Sequence, residues 1–207
     1  MSRLNLLEEG KSYTFRSYFE MTYDIEDILG EFGVSFDVQE LALPTAEMSA
    51  TVVERLRQTL TGYIKRVPLT SEAARREILV APILLEVSGL SDSKLKIEYT
   101  LTVNNYLKGK LDYLIRGQRN LLVIEAKNAD LTRGFTQLAV ELIALAKLEP
   151  EQKILHGAVT VGDVWLFGQF DVENKHVTRD LPLYPVPQDL DKVMSILMGV
   201  LTNCSSL

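Results

Sequence analysis

The sequence predicts an α/β fold in which helices cover both sides of a short sheet. Some segments carry apolar residues at helical spacing, whereas others alternate apolar and polar residues as strands do. From residue 71 to 161 these segments follow the order helix, three strands, helix, strand, which favours a layered α/β architecture. A composition of 46% hydrophobic and 24% charged residues is typical of a globular domain.

The N-terminal part predicts a helical extension of this core. Apolar residues recur at helical spacing from Phe15 to Phe32, and Gly33 is expected to end that helix. A short strand over 34–41 follows. Thr45 is then expected to cap a second helix, which runs to about residue 63.

The central part carries the predicted sheet. A helix is expected to begin near Ser71 and to kink or restart at Pro82, which has no N–H to donate. Within strand 107–116, we expect Leu111, Tyr113 and Ile115 on one face and Asp112 on the other. The further predicted elements are strands 95–103 and 121–127, a helix at 132–148, a hairpin of 156–161 and 164–170, and a last helix at 188–202.

We expect a single domain over residues 1–207, since no linker or repeat divides the chain. Its predicted parts are an N-terminal helical extension (1–70), a core (71–171), and a C-terminal hairpin end and helix (172–207).

Several classes of protein are excluded by composition. Cys204 is the one cysteine, so no internal disulfide framework can form, and two histidines cannot build a multi-histidine metal site. No apolar run reaches the roughly 18–20 residues that span a bilayer, and the first residues lack the apolar stretch of a signal peptide. We therefore expect no membrane partner and a cytoplasmic location.

Charge is unevenly distributed along the chain. The formal net charge of −6 argues against tight, nonspecific coating of nucleic acid, which depends on many basic side chains. Residues 91–133 nevertheless hold eight basic and five acidic side chains. Because nearby charges set the field in a cleft, a locally basic groove remains compatible with the acidic total.

The stretch 107–141 contains the candidate chemistry. Glu125 and Lys127 are two residues apart at the end of an apolar strand, so both side chains project from one face, while Ala126 faces the other way. If the preceding strand is a neighbour, Asp112 can converge with Glu125. Two carboxylates form an oxygen-rich site suited to Mg²⁺ or Mn²⁺. Lys127 could orient a water there or help to deprotonate it.

Asp112 followed by Glu125-Ala126-Lys127 resembles the PD-(D/E)xK nuclease superfamily, which has the restriction-endonuclease-like fold. The core of that family has the order helix, three strands, helix, strand. Gly109 matches its frequent GxxD opening, Glu77 the acidic residue of its first core helix, and Gln137 a glutamine near the site. Leu111 stands where many members have proline.

The resemblance implies a divalent-metal-dependent endonuclease that hydrolyses phosphodiester bonds in DNA, with RNA as the less favoured substrate. It implies Mg²⁺ or Mn²⁺ as cofactor. The implied catalytic residues are Asp112, Glu125, Lys127 and Gln137, and the implied metal ligands are Glu77, Asp112 and Glu125. The side chains expected to bind nucleic acid are Lys108, Lys110, Arg116 and Arg133.

Two alternatives stay open. The chain could keep the nuclease fold as a catalytically silent module that binds nucleic acid or a protein partner, because a fold does not guarantee its chemistry. Glu125 and Lys127 could also simply pair in solvent, a contact worth about 0–1 kcal/mol. A homodimer is compatible with either function.

Overall fold

A computed structural model describes residues 6–117, 120–126 and 130–202, apart from the side chain of Leu121. Its centre is a mixed sheet of eight strands with helices on both faces. The predicted α/β class is confirmed. The described sheet has two more strands than the sequence predicted.

The elements follow one another along the chain with short connections. The described helices are α1 (Phe15–Glu20), α2 (Ile25–Gly30), α3 (Ala50–Ile64), α4 (Glu72–Arg75), α5 (Ala81–Leu90), α6 (Leu131–Leu148) and α7 (Leu190–Thr202), and a π-helical turn (Arg76–Val80) joins α4 to α5. The described strands are β1 (Ser35–Gln39), β2 (Lys94–Thr102), β3 (Lys108–Arg116), β4 (Leu121–Ala126), β5 (Ile154–Thr160), β6 (Val164–Asp171), β7 (His176–Asp180) and β8 (Tyr184–Pro185).

The strand order is β1-β7-β6-β5-β4-β3-β2, with β8 beside β6. Two pairs are parallel, β4 with β5 and β1 with β7, and the others are antiparallel. Helix α6 connects β4 to β5, as a parallel pair requires a crossover connection. The end of β4 and the start of α6 are thereby brought to the same edge of the sheet.

The two faces of the sheet bury separate apolar layers. Residues of α1, α2 and α6 pack on one face around Phe15, Tyr18 and Phe135, and we call this the first layer. Residues of α3, α5 and α7 pack on the other face around Trp165 and Phe167, the second layer. As predicted, Ala126 of β4 faces the other way from Glu125. It shares its face with Leu122 and Ile124, and that face belongs to the second layer. Glu125 therefore points toward α6.

The N-terminal helices differ from the predictions. The prediction of a continuous helix over 15–32 is wrong. The backbone is extended at Met21 and Asp24, and α2 begins after Asp24. Helix α3 begins at Ala50 and not near Thr45. Residues before it are held instead by a distant contact: the Ala46 N–H donates to the Ser195 carbonyl at 3.0 Å, and the Ser195 hydroxyl donates to the Ala46 carbonyl at 2.6 Å.

The alternation of β3 reverses at Asp112, so the prediction that Leu111, Tyr113 and Ile115 share a face is wrong. Leu111 packs in the first layer, whereas Tyr113 and Ile115 pack in the second. The neighbouring strand changes face at the same level, where Glu98 has a left-handed φ of 51°. This local distortion of two paired strands places Asp112 at the sheet's irregular point.

Most of the later elements agree with the sequence. The Ser71 hydroxyl caps α4 by accepting from the Ala74 N–H at 3.1 Å, and β5 and β6 form the predicted hairpin. Strands β7 and β8 were not predicted. Within 6–117, 120–126 and 130–202, no helix combines the length and apolarity that crossing a bilayer needs.

Candidate functional site

Asp112 links β3 to the end of β4. The paired residues of these strands run from Arg116↔Leu121 to Tyr113↔Ile124. Beyond them the Asp112 carboxylate continues the connection, because its Oδ2 accepts a hydrogen bond from the Ala126 N–H at 2.9 Å. Asp112 is thereby fixed beside the residue that follows Glu125. The structure brings Asp112, in the middle of β3, beside the end of β4 that carries Glu125.

Glu125 belongs to a buried polar cluster beneath α6. The Gln137 amide nitrogen Nε2 donates to Glu125 Oε1 at 2.7 Å and to Glu141 Oε1 at 2.8 Å. All three side chains are at most 3% exposed. We call Glu125, Gln137 and Glu141 the buried trio. One amide therefore orients two carboxyl groups, one from the sheet and one from the helix.

Glu141 is held in an environment that disfavours its charge. Burial raises its pKa well above the ordinary value of 4.5, and the charge of the neighbouring Glu125 raises that pKa further. Glu141 Oε2 has no hydrogen-bond partner among the described residues. A buried acceptor of this kind is costly, so the site favours either a proton or a cation near Glu141.

The solvent-facing side of the site contains a cation. Arg76 Nη1 lies 3.6 Å from Asp112 Oδ1 and 4.0 Å from Glu98 Oε1. The Arg76 and Asp112 side chains are 19% and 18% exposed, and Glu98 is 52% exposed. We call Asp112, Arg76 and Glu98 the open trio.

Glu77 does not join the two predicted acids. It is exposed, whereas the preceding residue, Arg76, faces Asp112. The local cause is the π-helical turn, in which the Ala81 N–H donates to the Arg76 carbonyl, five residues back. Pro82 follows and cannot donate. A wider turn changes which side chains face the sheet, and such turns are frequent at functional sites.

The predicted metal ligands therefore do not form a three-acid group. Among the described residues, no three His, Cys, Asp or Glu side chains are grouped closely enough to hold a metal ion. Asp112 and Glu125 remain near each other through Ala126, but Glu77 is not with them. Lys127, the predicted partner of the attacking water, lies outside the described residues.

The predicted nucleic-acid contacts are spread over several surfaces. Lys110 Nζ lies 3.0 Å from Glu98 Oε2, next to the open trio, and Lys108 is half-buried at the start of β3. Arg133 is exposed at the start of α6, where it pairs with Asp130 at 3.5 Å. Arg116 lies at the opposite end of β3 and pairs with Glu149 at 2.5 Å. Lys110 is thus linked to the open trio through Glu98, and Arg116 is not.

Helical spacing places Glu141 on the face of α6 that carries Gln137, four residues earlier, but the sequence assigns Glu141 no role. Sequence reasoning missed Arg76, because helical spacing alone does not reveal the π-helical turn that directs this side chain toward Asp112.

Comparisons with known proteins add no family to this description. No protein-family model matches the chain, and no curated protein matches it significantly.

Proposed function

We propose that the chain is a divalent-metal-dependent endonuclease of the PD-(D/E)xK type that hydrolyses phosphodiester bonds in DNA. The observation that supports this most is the hydrogen bond from the Ala126 N–H to Asp112. It brings Asp112 of one strand beside Glu125 and Ala126 of the next. The order of α5, β2, β3, β4, α6 and β5 is also that of a restriction-endonuclease-like core.

The donor set fits a small divalent cation. Asp112 and Glu125 offer carboxylate oxygens, and Mg²⁺ is commonly held by one or two carboxylates together with water and substrate phosphate. Glu141 Oε2 lacks a hydrogen-bond partner among the described residues, but within that part of the chain Glu141 does not form a three-acid metal group with Asp112 and Glu125. Asp112 and Glu125 would hold the ion, which would supply a hydroxide-like nucleophile and offset charge on the phosphate.

The chain's own residues would prepare the site. Gln137 fixes the rotamer of Glu125 by donating to its Oε1, so the carboxylate needs no reorientation when a ligand arrives. Lys127 would orient the attacking water, an assignment that depends on its sequence position two residues after Glu125. Lys108, Lys110 and Arg133 would contact the DNA backbone.

The direct test is cleavage of plasmid DNA and of single-stranded DNA with Mg²⁺ or Mn²⁺. We expect Asp112→Asn and Lys127→Ala each to lower the rate at least about a hundredfold, because each would remove a group that acts on the reacting atoms. Asp37→Asn is the matched control: Asp37 is an exposed strand aspartate that also accepts a backbone N–H, from Val38 at 2.7 Å. Equal cleavage by all four proteins would identify a contaminating nuclease and refute the proposal.

A second candidate is a catalytically silent module that binds nucleic acid. The position of Arg76 favours it, because a guanidinium 3.6 Å from Asp112 already offsets the charge that a metal would offset. Metal binding separates the two functions. The nuclease predicts that Mn²⁺ at a hundred times its dissociation constant stabilises the fold by about 2.7 kcal/mol. This gain should persist in Asp37→Asn and disappear in Asp112→Asn, whereas the silent module predicts no gain in any of them.

A further inference from the structure

Arg76 is fixed in position by several weak contacts. Its guanidinium carbon lies 5.2 Å from the centre of the Tyr113 ring, and its Nε donates to the Tyr113 hydroxyl at 3.5 Å. The ring is buried in the second layer and can serve as a rigid support. A cation held over an aromatic face loses little further conformational freedom when it binds a ligand.

The outer nitrogens of Arg76 are not committed to hydrogen bonds. Their distances of 3.6 Å to Asp112 and 4.0 Å to Glu98 are ion-pair distances, longer than a direct hydrogen bond. Among the described residues, neither Nη atom has a hydrogen-bond partner. The planar fork of the guanidinium, which matches the geometry of two phosphate oxygens, is therefore available.

The site needs a cation at this point if it is to accept a phosphate. Glu98, Asp112 and Glu125 would repel a phosphodiester approaching the end of β4. Arg76 remains charged there: burial opposes its charge, but Tyr113, Asp112 and Glu98 together raise its pKa above the ordinary value of an arginine. Among the described residues, Lys110 is a nearby lysine, and it is already bound to Glu98 at 3.0 Å.

We propose that Arg76 binds a phosphate of the DNA backbone beside Asp112, donating from its two Nη atoms to the phosphate oxygens. The proposal rests on the proposed function, since it assumes that DNA reaches this end of the sheet. Arg76 therefore occupies the place that the sequence predicted for Glu77. Glu77 was expected to hold a metal there, whereas Arg76 holds the substrate.

The experiment measures binding of a fluorescent 20-base-pair DNA duplex by anisotropy, in EDTA and in Ca²⁺, over a range of salt concentrations. We expect Arg76→Gln to weaken binding about tenfold, the effect of losing a charge-assisted hydrogen bond. The slope of log affinity against log salt should fall by about 0.9, as for the loss of one phosphate contact. Arg55→Gln is the matched control, because Arg55 also pairs with a glutamate, Glu86, at 2.6 Å on an exposed surface.

Arg76→Lys keeps the charge and removes the fork. It should retain the salt slope and lose part of the affinity, and it provides the test if Arg76→Gln does not fold. Affinities of Arg76→Gln and Arg76→Lys equal to that of Arg55→Gln would overturn the inference while leaving the nuclease proposal in place. Wild type that binds DNA through Arg76 but does not cut it when Mg²⁺ or Mn²⁺ is supplied would support the inference and refute the nuclease. Wild type that binds in neither buffer would refute both.

Discussion

The buried trio and the open trio hold their charges in opposite ways. In the buried trio, Gln137 is a neutral donor shared by two carboxyl groups, and burial raises the pKa of Glu141. In the open trio, Arg76 carries a full positive charge between Asp112 and Glu98, at distances longer than hydrogen bonds. One trio is held by short neutral-donor contacts in a dry environment, and the other by long ionic contacts near water.

This difference indicates which trio fixes the geometry of the site and which exchanges its contacts with the substrate. Short buried hydrogen bonds are costly to break, because the separated groups cannot be solvated. Long, partly exposed ion pairs contribute little to folding, since water and salt screen them. We therefore expect the buried trio to define the geometry of the site and the open trio to exchange its contacts when substrate arrives.

The largest expected effect is the loss of stability when the shared donor, Gln137, is removed. Gln137→Ala removes the hydrogen bonds to Glu125 and Glu141 and leaves their carboxyl groups close together in the interior. We expect the free energy of unfolding to fall by about 2–4 kcal/mol, measured by urea denaturation. Gln58→Ala is the matched control, because Gln58 donates to the exposed Glu54 carboxylate at 3.0 Å. Its loss should be within about 0.5 kcal/mol; similar losses in the two variants would contradict the distinction.

The next effect concerns pH. Because the pKa of Glu141 is raised in the folded protein, the folded state keeps a proton that the unfolded chain releases. The stability from that proton is fully present below about pH 4.5 and is lost as the pH rises through the folded value. Glu141→Gln, which is neutral at every pH, should therefore gain stability relative to wild type between pH 5 and 8. The groups that face Glu141 in the described part are Glu125, Asp112 and Gln137.

The comparison must be made as a difference between the two proteins at each pH. Burial lowers the pKa of His156 to about 4, so His156 makes wild type less stable as the pH falls below 6.5. Since Glu141→Gln retains His156, that contribution cancels in the difference. Parallel stability curves for the two proteins would show that Glu141 does not carry the proton.

Local sequence signals were sufficient wherever the deciding contacts are local. The Ser71 cap, the hairpin at Gly162-Asp163 and the apolar face of β4 depend on neighbouring residues, and all three are found. The placement of Gln137 toward Glu125 follows from helical spacing once α6 is known. For this reason the sequence could predict that Gln137 lies near Glu125.

Features that depend on distant contacts were missed. Strand β1 pairs in parallel with β7, about 140 residues away, so β7 has no local sequence signal. The late start of α3 has none either, because Ala46, which precedes that helix, is held by the distant Ser195. Arg76 faces the site where the sequence predicted Glu77, because a π-helical turn changes which side chain is directed toward Asp112. Periodicity assumes a constant number of residues per turn, so it cannot reveal that change.

The smallest expected effect on stability concerns Lys110, which pairs with Glu98 of the open trio. Lys110→Gln removes the 3.0 Å ion pair with Glu98. The Lys110 side chain is 63% exposed and the Glu98 side chain is 52% exposed. Because water screens such a pair, we expect the midpoint of thermal unfolding to change by at most about 2 °C, with DNA affinity falling in the same protein. Thr100→Val, at the position that pairs with Lys110 on β2, is the control for changes to this edge. If Lys110→Gln destabilised the fold as much as Gln137→Ala, the charges around Asp112 would be structural, and they would not be available to bind a substrate.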